Sequence, residues 1–325
     1  MTRVQSPLSV RRGFVYVCIA AAAWGTGGPA ASMVYQTSGL GPVTVSFWRF
    51  VCGALLLATA LPFTARAAQP GAASPVGPAP RRRGMLLLIG LGMAVSQAAY
   101  LAAIAEIGVA VATVITLGAS PLVVAAGARV LLGERLGRTG AVSMTVAIGG
   151  LLLLITPGVP AAPAPGASPT LGVGLALLSA VTYGGVTLLS RAFPADPYGT
   201  ALWSFVVGAV VLLPVAAVQG LLPGRAAAET AALIAYLGAV PTALAYGLFF
   251  GGLSAIRATT ASVLSLIEPL AATALGVLMF GERLTPAGAA GATALLVAVT
   301  CLAPRRPENP ARAAGEPHTR IDDST

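Results

Sequence analysis

Two charged side chains stand where the sequence leaves little water to hold them. Arg49 lies about seven residues inside an apolar run that begins at Pro42, roughly 10 Å deep at a helical rise of about 1.5 Å per residue. Glu268 sits near the middle of another run, directly before Pro269. An arginine at the centre of a membrane helix costs about 2.5–3.5 kcal/mol on insertion scales, so it turns toward protein or water. Arg49 therefore reads either as a cavity cation holding a carboxylate or as a structural arginine satisfied by carbonyls. A carboxylate at Glu268 can bind a proton, an ammonium group or Arg49 itself; the plainer reading is a fixed ion pair.

Around these charges lie Trp24, Tyr100, Tyr183 and Tyr246, each in the middle of an apolar run. Trp and Tyr of membrane proteins usually gather at the interfaces. Deep rings either line a cavity and stack on cationic or aromatic ligands, or fill space between helices. Gln97 and Ser120 add hydrogen-bonding capacity. Pro121 and Pro269 each remove a backbone donor, which predicts helix breaks that free carbonyls near the midplane. Glu134 and Glu282 each precede an arginine at the end of a run and suggest a structural or gating contact. Glu106 reads as a solvated interfacial carboxylate, and Arg129 as a side chain that snorkels along its helix.

Several chemistries are excluded. His318 is the sole histidine and lies in a polar tail, which removes a His-dependent triad or a multi-His metal site. Cys18, Cys52 and Cys301 sit in apolar stretches without paired or metal-ligand spacing. The chain has no lysine, so no phosphate loop of the Gly-rich Lys type is possible. We assign no catalytic residue, no metal and no cofactor.

Composition dictates the kind of element that holds these groups. Of the 325 residues 56% are hydrophobic and 9% charged, with a mean hydropathy of +0.86. Soluble domains carry about 25% charged residues, and a spanning helix needs about 20 apolar ones. Thr139 to Ser190 contains no charge at all. The fold class is thus an all-α integral membrane protein. Hydropathy places ten spans: 13–35, 42–64, 84–106, 109–132, 139–155, 171–190, 197–222, 227–253, 258–280 and 286–302. The first is long enough to remain as an uncleaved helix, unlike the short core of a signal peptide.

A net charge of +9 comes entirely from arginines clustered between runs, which fits topology signals and anionic headgroups better than nucleic acid. Placing the N-terminus inside leaves Arg225 and Arg283 outside and Arg49 and Arg129 within spans; the remaining arginines fall on the cytoplasmic side. This predicts an inner (plasma) membrane protein with both termini cytoplasmic.

An internal repeat organises the chain. Gly133-Glu134-Arg135-Leu136 recurs as Gly281-Glu282-Arg283-Leu284, an offset of 148 (281 − 133), and Pro121 meets Pro269 at the same offset. Tyr100 meets Tyr246 at 146 (246 − 100), Trp48 meets Trp203 at 155 (203 − 48), and Trp24-Gly25 meets Tyr183-Gly184 at 159 (183 − 24). An odd number of spans in each half would insert the second upside down, the inverted-repeat plan of secondary transporters. The expected units are 1–12 as a cytoplasmic segment, 13–156 and 171–303 as five-helix repeats, 157–170 as an external linker, and 304–325 as a disordered tail.

Trp24-Gly25, Trp48-Arg49-Phe50, Tyr100-Leu-Ala-Ala-Ile, Ser120-Pro121, Glu268-Pro269 and the two Gly-Glu-Arg-Leu boxes resemble the EamA-type family of the drug/metabolite transporter superfamily. The resemblance spans residues 13 to 302. It implies a ten-helix carrier of small metabolites, often amino acids or related compounds, that works by alternating access around a midplane site. Its partners would be the bilayer, a small-molecule substrate and, for a coupled carrier, protons, with a monomer sufficient. A channel-like pathway is the alternative, and a membrane enzyme acting on lipid-linked substrates a more distant one.

Overall fold

In the computed structural model, residues 8–67, 79–155, 167–193, 196–280 and 283–304 are described; among them every element is helical. The expected tail, Glu282, His318 and most of the linker before Pro169 lie outside the described residues. The helices are α1 Val10–Gly25, α2 Gly27–Ser38, α3 Pro42–Ala67, α4 Ala79–Leu131, α5 Arg138–Ile155 and α6 Pro169–Ala192. They continue as α7 Pro197–Gln219, α8 Ala227–Gly238, α9 Ala245–Leu253, α10 Ala258–Leu264, α11 Ile267–Phe280 and α12 Pro286–Cys301. Among the described residues eight stretches are long and apolar enough to cross a membrane, and α12 is a shorter apolar helix.

Local sequence explains where many of these helices start. Ser9, Ser168, Asp196 and Thr285 each accept a backbone N–H from the first turn, and proline follows the last three at the helix start. A short polar cap satisfies an orphan donor, while proline gives up none that the helix needs.

Helix α4 has 53 residues, and straight it would run about 80 Å, far more than a bilayer's roughly 30 Å core. It is folded back at Gly108, whose φ of 76° and ψ of 161° suit only glycine. The reversal lets the Tyr100 hydroxyl meet Thr113 Oγ1 at 2.7 Å, although residues so spaced on a straight helix stand about 20 Å apart.

Two expectations about breaks are corrected. The helix runs on through Pro121, with Gly108 its only non-helical residue. Neighbouring helices hold a proline in line within a bundle, and Ser120 on its buried face donates to Thr116 O at 2.6 Å. The stretch over 13–35 is not one helix but breaks at Thr26, just ahead of Gly27-Gly28-Pro29. Pro269 lies in the first turn of α11, which begins at Ile267. Helix α10 ends at Leu264, and the carbonyl of Ser265 accepts the Glu268 amide at 3.0 Å.

Small residues set the close approaches. Carbons added at Gly150 and Gly291 would lie 2.8 Å and 2.5 Å from each other's carbonyl oxygens, so α5 and α12 touch along their backbones. Helices α3 and α7 also run antiparallel: Thr44 donates to Gly220 O at 3.1 Å, while Phe50 stacks on Phe205 at 5.4 Å.

Candidate functional site

Enclosed by α1–α4, α6, α8, the turn after α8, α9 and α11 is a cavity of about 730 Å³. Trp24, Arg49, Gln97, Tyr100, Tyr183, Tyr246 and Glu268 all line it. Ser120 does not; its hydroxyl is spent inside its own helix.

Arg49 comes from α3 and reaches the cavity beside α4. Its Nη2 donates to Gln97 Oε1 at 3.3 Å, and Gln97 Nε2 donates to Ser46 Oγ at 3.2 Å. The guanidinium carbon lies 5.3 Å from the Phe50 ring centre, and Nε is buried with no acceptor. The break between α10 and α11 precedes Glu268, which joins the lining from α11. Among the described residues its carboxylate has no hydrogen bond or ion pair, and none joins it to Arg49. An arginine and a carboxyl group thus line one chamber without a direct hydrogen bond or salt bridge between them among the described residues.

The floor is aromatic. Trp24 lies 4.9 Å from Tyr246, 5.1 Å from Phe249 and, edge-on, 6.5 Å from Tyr183. Beneath it Val17, Phe249, Phe250, Leu253 and Ile256 are buried together. Packed rings and aliphatics close the cavity toward the face that carries Val10 and Ala258. On that same face Glu134 Oε1 stands 3.8 Å from Arg191 Nε, linking the first Gly-Glu-Arg-Leu box to the end of α6. Toward the opposite face the lining continues through Ser32, Tyr35 and Gln36 of α2 and through Leu101, Ile104 and Val109 of α4.

Several lining groups escaped the sequence reading. Ser96 and Ser179 bind each other across α4 and α6 at 3.1 Å, and Tyr35 and Gln36 lie at and just beyond the end of the first span. Between α8 and α9 the chain forms a π-helical turn over Ala239–Leu244 around Pro241, another lining residue. Proline cannot donate, and the Thr242 hydroxyl donates to Leu237 O at 2.7 Å in the widened turn. The signals were present as Gly27-Gly28-Pro29 and Pro241, breakers inside apolar runs. Glu106 is half-buried and accepts the Ser168 amide at 2.6 Å, so it caps α6 as well as meeting solvent.

The chain matches the EamA-like transporter family over residues 11–156 and 170–303. It is 27% identical over 299 residues to the uncharacterized transporter YwfM of Bacillus subtilis strain 168, covering 90% of this chain and 94% of the relative. An uncharacterized transporter of Archaeoglobus fulgidus is 31% identical over 215 residues, covering 64% of this chain and 74% of that one. A solved crystal structure matches in fold with a TM-score of 0.69 at 19% identity, over 89% of this chain and 95% of that one. Two family matches flanking the 157–169 gap, together with apolar helices around one charged cavity, make this chain a member of the EamA-like transporter family.

Proposed function

We propose that the protein is a secondary carrier for small zwitterionic metabolites, amino acids or related compounds, working by alternating access. One observation carries this reading: Arg49 and Glu268 face the same cavity unpaired. A substrate carboxylate on Arg49 and its ammonium group on Glu268 would neutralise both at once, while Trp24, Tyr183 and Tyr246 receive the side chain.

The architecture behind the proposal is ten passes in two inverted halves. The reversal at Gly108 divides α4 into two passes, and α12 supplies the last. Glycine contacts support the repeat. A carbon added at Gly25 meets Ala271, and one at Gly184 meets Val123, offsets of 159 (184 − 25) and 148 (271 − 123). One at Gly13 meets Gly252 and one at Gly172 meets Glu106, offsets of 159 (172 − 13) and 146 (252 − 106). These are the offsets of the sequence repeat, and α3 with α7 and α5 with α12 are the antiparallel pairs that inversion requires. The arginine bias supports cytoplasmic termini in the plasma membrane. The cavity then opens outward, with Glu134 and Arg191 among the groups that must part for inward opening. Helix α2 would tilt about Thr26, from a resting position where Arg225 donates to the carbonyls of Gln36 and Thr37 at 2.9 Å and 3.0 Å.

The test is counterflow in proteoliposomes with radiolabelled amino acids, organic anions and organic cations. The account predicts saturable exchange of zwitterions that outpaces exchange of either singly charged class. Unsaturable flux would point to the channel-like pathway, and exchange of anions or cations alone would refute the two-charge site.

A further inference from the structure

A second concavity lies away from the cavity, between the start of α5 and the end of α12. It measures about 330 Å³ and is walled by Val142, Val146, Val297 and Ala298, with Arg138 at its mouth. Arg138 is exposed, opens α5, and has no hydrogen-bond or ion-pair partner among the described residues. Backbone N–H groups of a first helical turn likewise lack intrahelical acceptors. Further in, Ser143 is 2% exposed and its Oγ has no partner, although it lines the groove. A serine inside a helix ordinarily donates to the carbonyl four residues back.

We propose that this groove binds an anionic phospholipid, whose phosphate sits on Arg138 and the first turn of α5. Three features select that occupant over others. The mouth is cationic and lies at the helix end, where headgroups are found. The walls below it are aliphatic and face the bilayer, with Val142 and Val297 62% and 49% exposed, so an acyl chain fits and a free metabolite does not. Ser143 stands five residues deeper than Arg138, about 7.5 Å along the helix, where the glycerol esters of a lipid with its phosphate on Arg138 would offer an acceptor. The two helices are held backbone to backbone at Gly150 and Gly291, so a lipid seated beside that contact would brace the α5–α12 pair. Anionic headgroups are attracted to the arginine-rich face.

The experiment titrates purified full-length protein in neutral detergent with phosphatidylglycerol, phosphatidylcholine or inorganic phosphate and follows the melting temperature. Phosphatidylglycerol should raise it at a concentration roughly five- to tenfold lower than phosphatidylcholine. Arg138→Gln should erase that preference. Val142→Trp, which fills the groove from an exposed position, should remove the shift, whereas Val210→Trp on the lipid-facing side of α7 should leave it. Should Val142→Trp fail to fold, the headgroup preference of Arg138→Gln decides alone. Equal response to the two lipids, a preference that survives Arg138→Gln, or a full shift with phosphate alone would each overturn the proposal. The last would mark an adventitious anion site in place of a lipid site.

Discussion

Where the first half of the chain places Arg49, the matching position of the second half, 155 residues on (204 − 49), is Ser204. Where the second half places Glu268, the first half has Ser120, 148 residues back (268 − 120). Both serines are buried, and each donates to the carbonyl four residues earlier in its own helix, Ser204 to Thr200 at 2.7 Å and Ser120 to Thr116 at 2.6 Å. Arg49 and Glu268 instead line the cavity, with Arg49 bonded to Gln97 and no salt bridge between the two among the described residues. The matched positions of the sequence repeat therefore differ in chemistry. On the proposed repeat, glycine contacts would keep the packing common to both, while one residue in each half gives the chamber an arginine and a carboxyl group.

The asymmetry is attacked hardest by making each charged position neutral like its counterpart. Arg49→Gln and Glu268→Gln should each weaken zwitterion exchange by about 10- to 100-fold, as expected for losing one charge-assisted interaction. Arg49→Lys should fall between, because it keeps the charge without the planar fork. Ser204→Ala and Ser120→Ala should leave exchange within about twofold, since their hydroxyls serve only their own helices. Comparable losses at serine and charged positions would remove the functional asymmetry.

Packing offers a second contrast. A carbon at Gly25 would sit 2.5 Å from Glu268 O and 2.6 Å from Ala271 Cβ, whereas one at Gly184 would meet Val123 Cγ1 at 2.9 Å. Backbone cannot give way as a valine can. Gly25→Ala should therefore destabilise by about 1–3 kcal/mol and Gly184→Ala by less, as read from thermal unfolding in detergent.

Smaller effects refine the contrast. Gln97→Leu would release Arg49 from its hydrogen bond and raise the half-saturating substrate concentration by roughly three- to tenfold, with the maximal rate largely kept. Glu134→Gln removes a partly exposed pair of a kind worth about 0.2–1 kcal/mol. It should raise thiol labelling of a cysteine placed at Ala258, on the closed face, by up to about fivefold.

Much of the frame could be read from the chain. Uncharged runs bounded by Pro, Gly and arginine marked the apolar stretches, because the bilayer imposes length and polarity on each span separately, while the breaks inside 13–35, 227–253 and 258–280 were not placed. Mid-span Trp24, Tyr100, Tyr183 and Tyr246 were equally visible, since deep aromatic groups stand out against aliphatic runs. What escaped depends on neighbours. The break at Thr26 is held by the Tyr236 hydroxyl, which donates to Thr26 Oγ1 at 2.8 Å from a distant helix. The Ser96–Ser179 pair required knowing that α4 meets α6. Pro121 and Pro269 look alike in sequence, yet one is carried in the interior of a long helix and the other in the first turn of a helix that starts at Ile267. Proline removes a donor in both places, and the packing of surrounding helices determines whether the helix continues through it or starts beside it.

The proposed division of labour is that Arg49 reads the anionic end of the substrate and Glu268 the cationic end. Its decisive test measures counterflow affinity of native protein, Arg49→Gln and Glu268→Gln for a transported amino acid, its decarboxylated amine and its deaminated acid. The account predicts that Arg49→Gln weakens the amino acid and the acid but leaves the amine unchanged, while Glu268→Gln weakens the amino acid and the amine but leaves the acid unchanged. If both variants weaken all three compounds alike, the two charges do not divide the substrate between them, and the account fails.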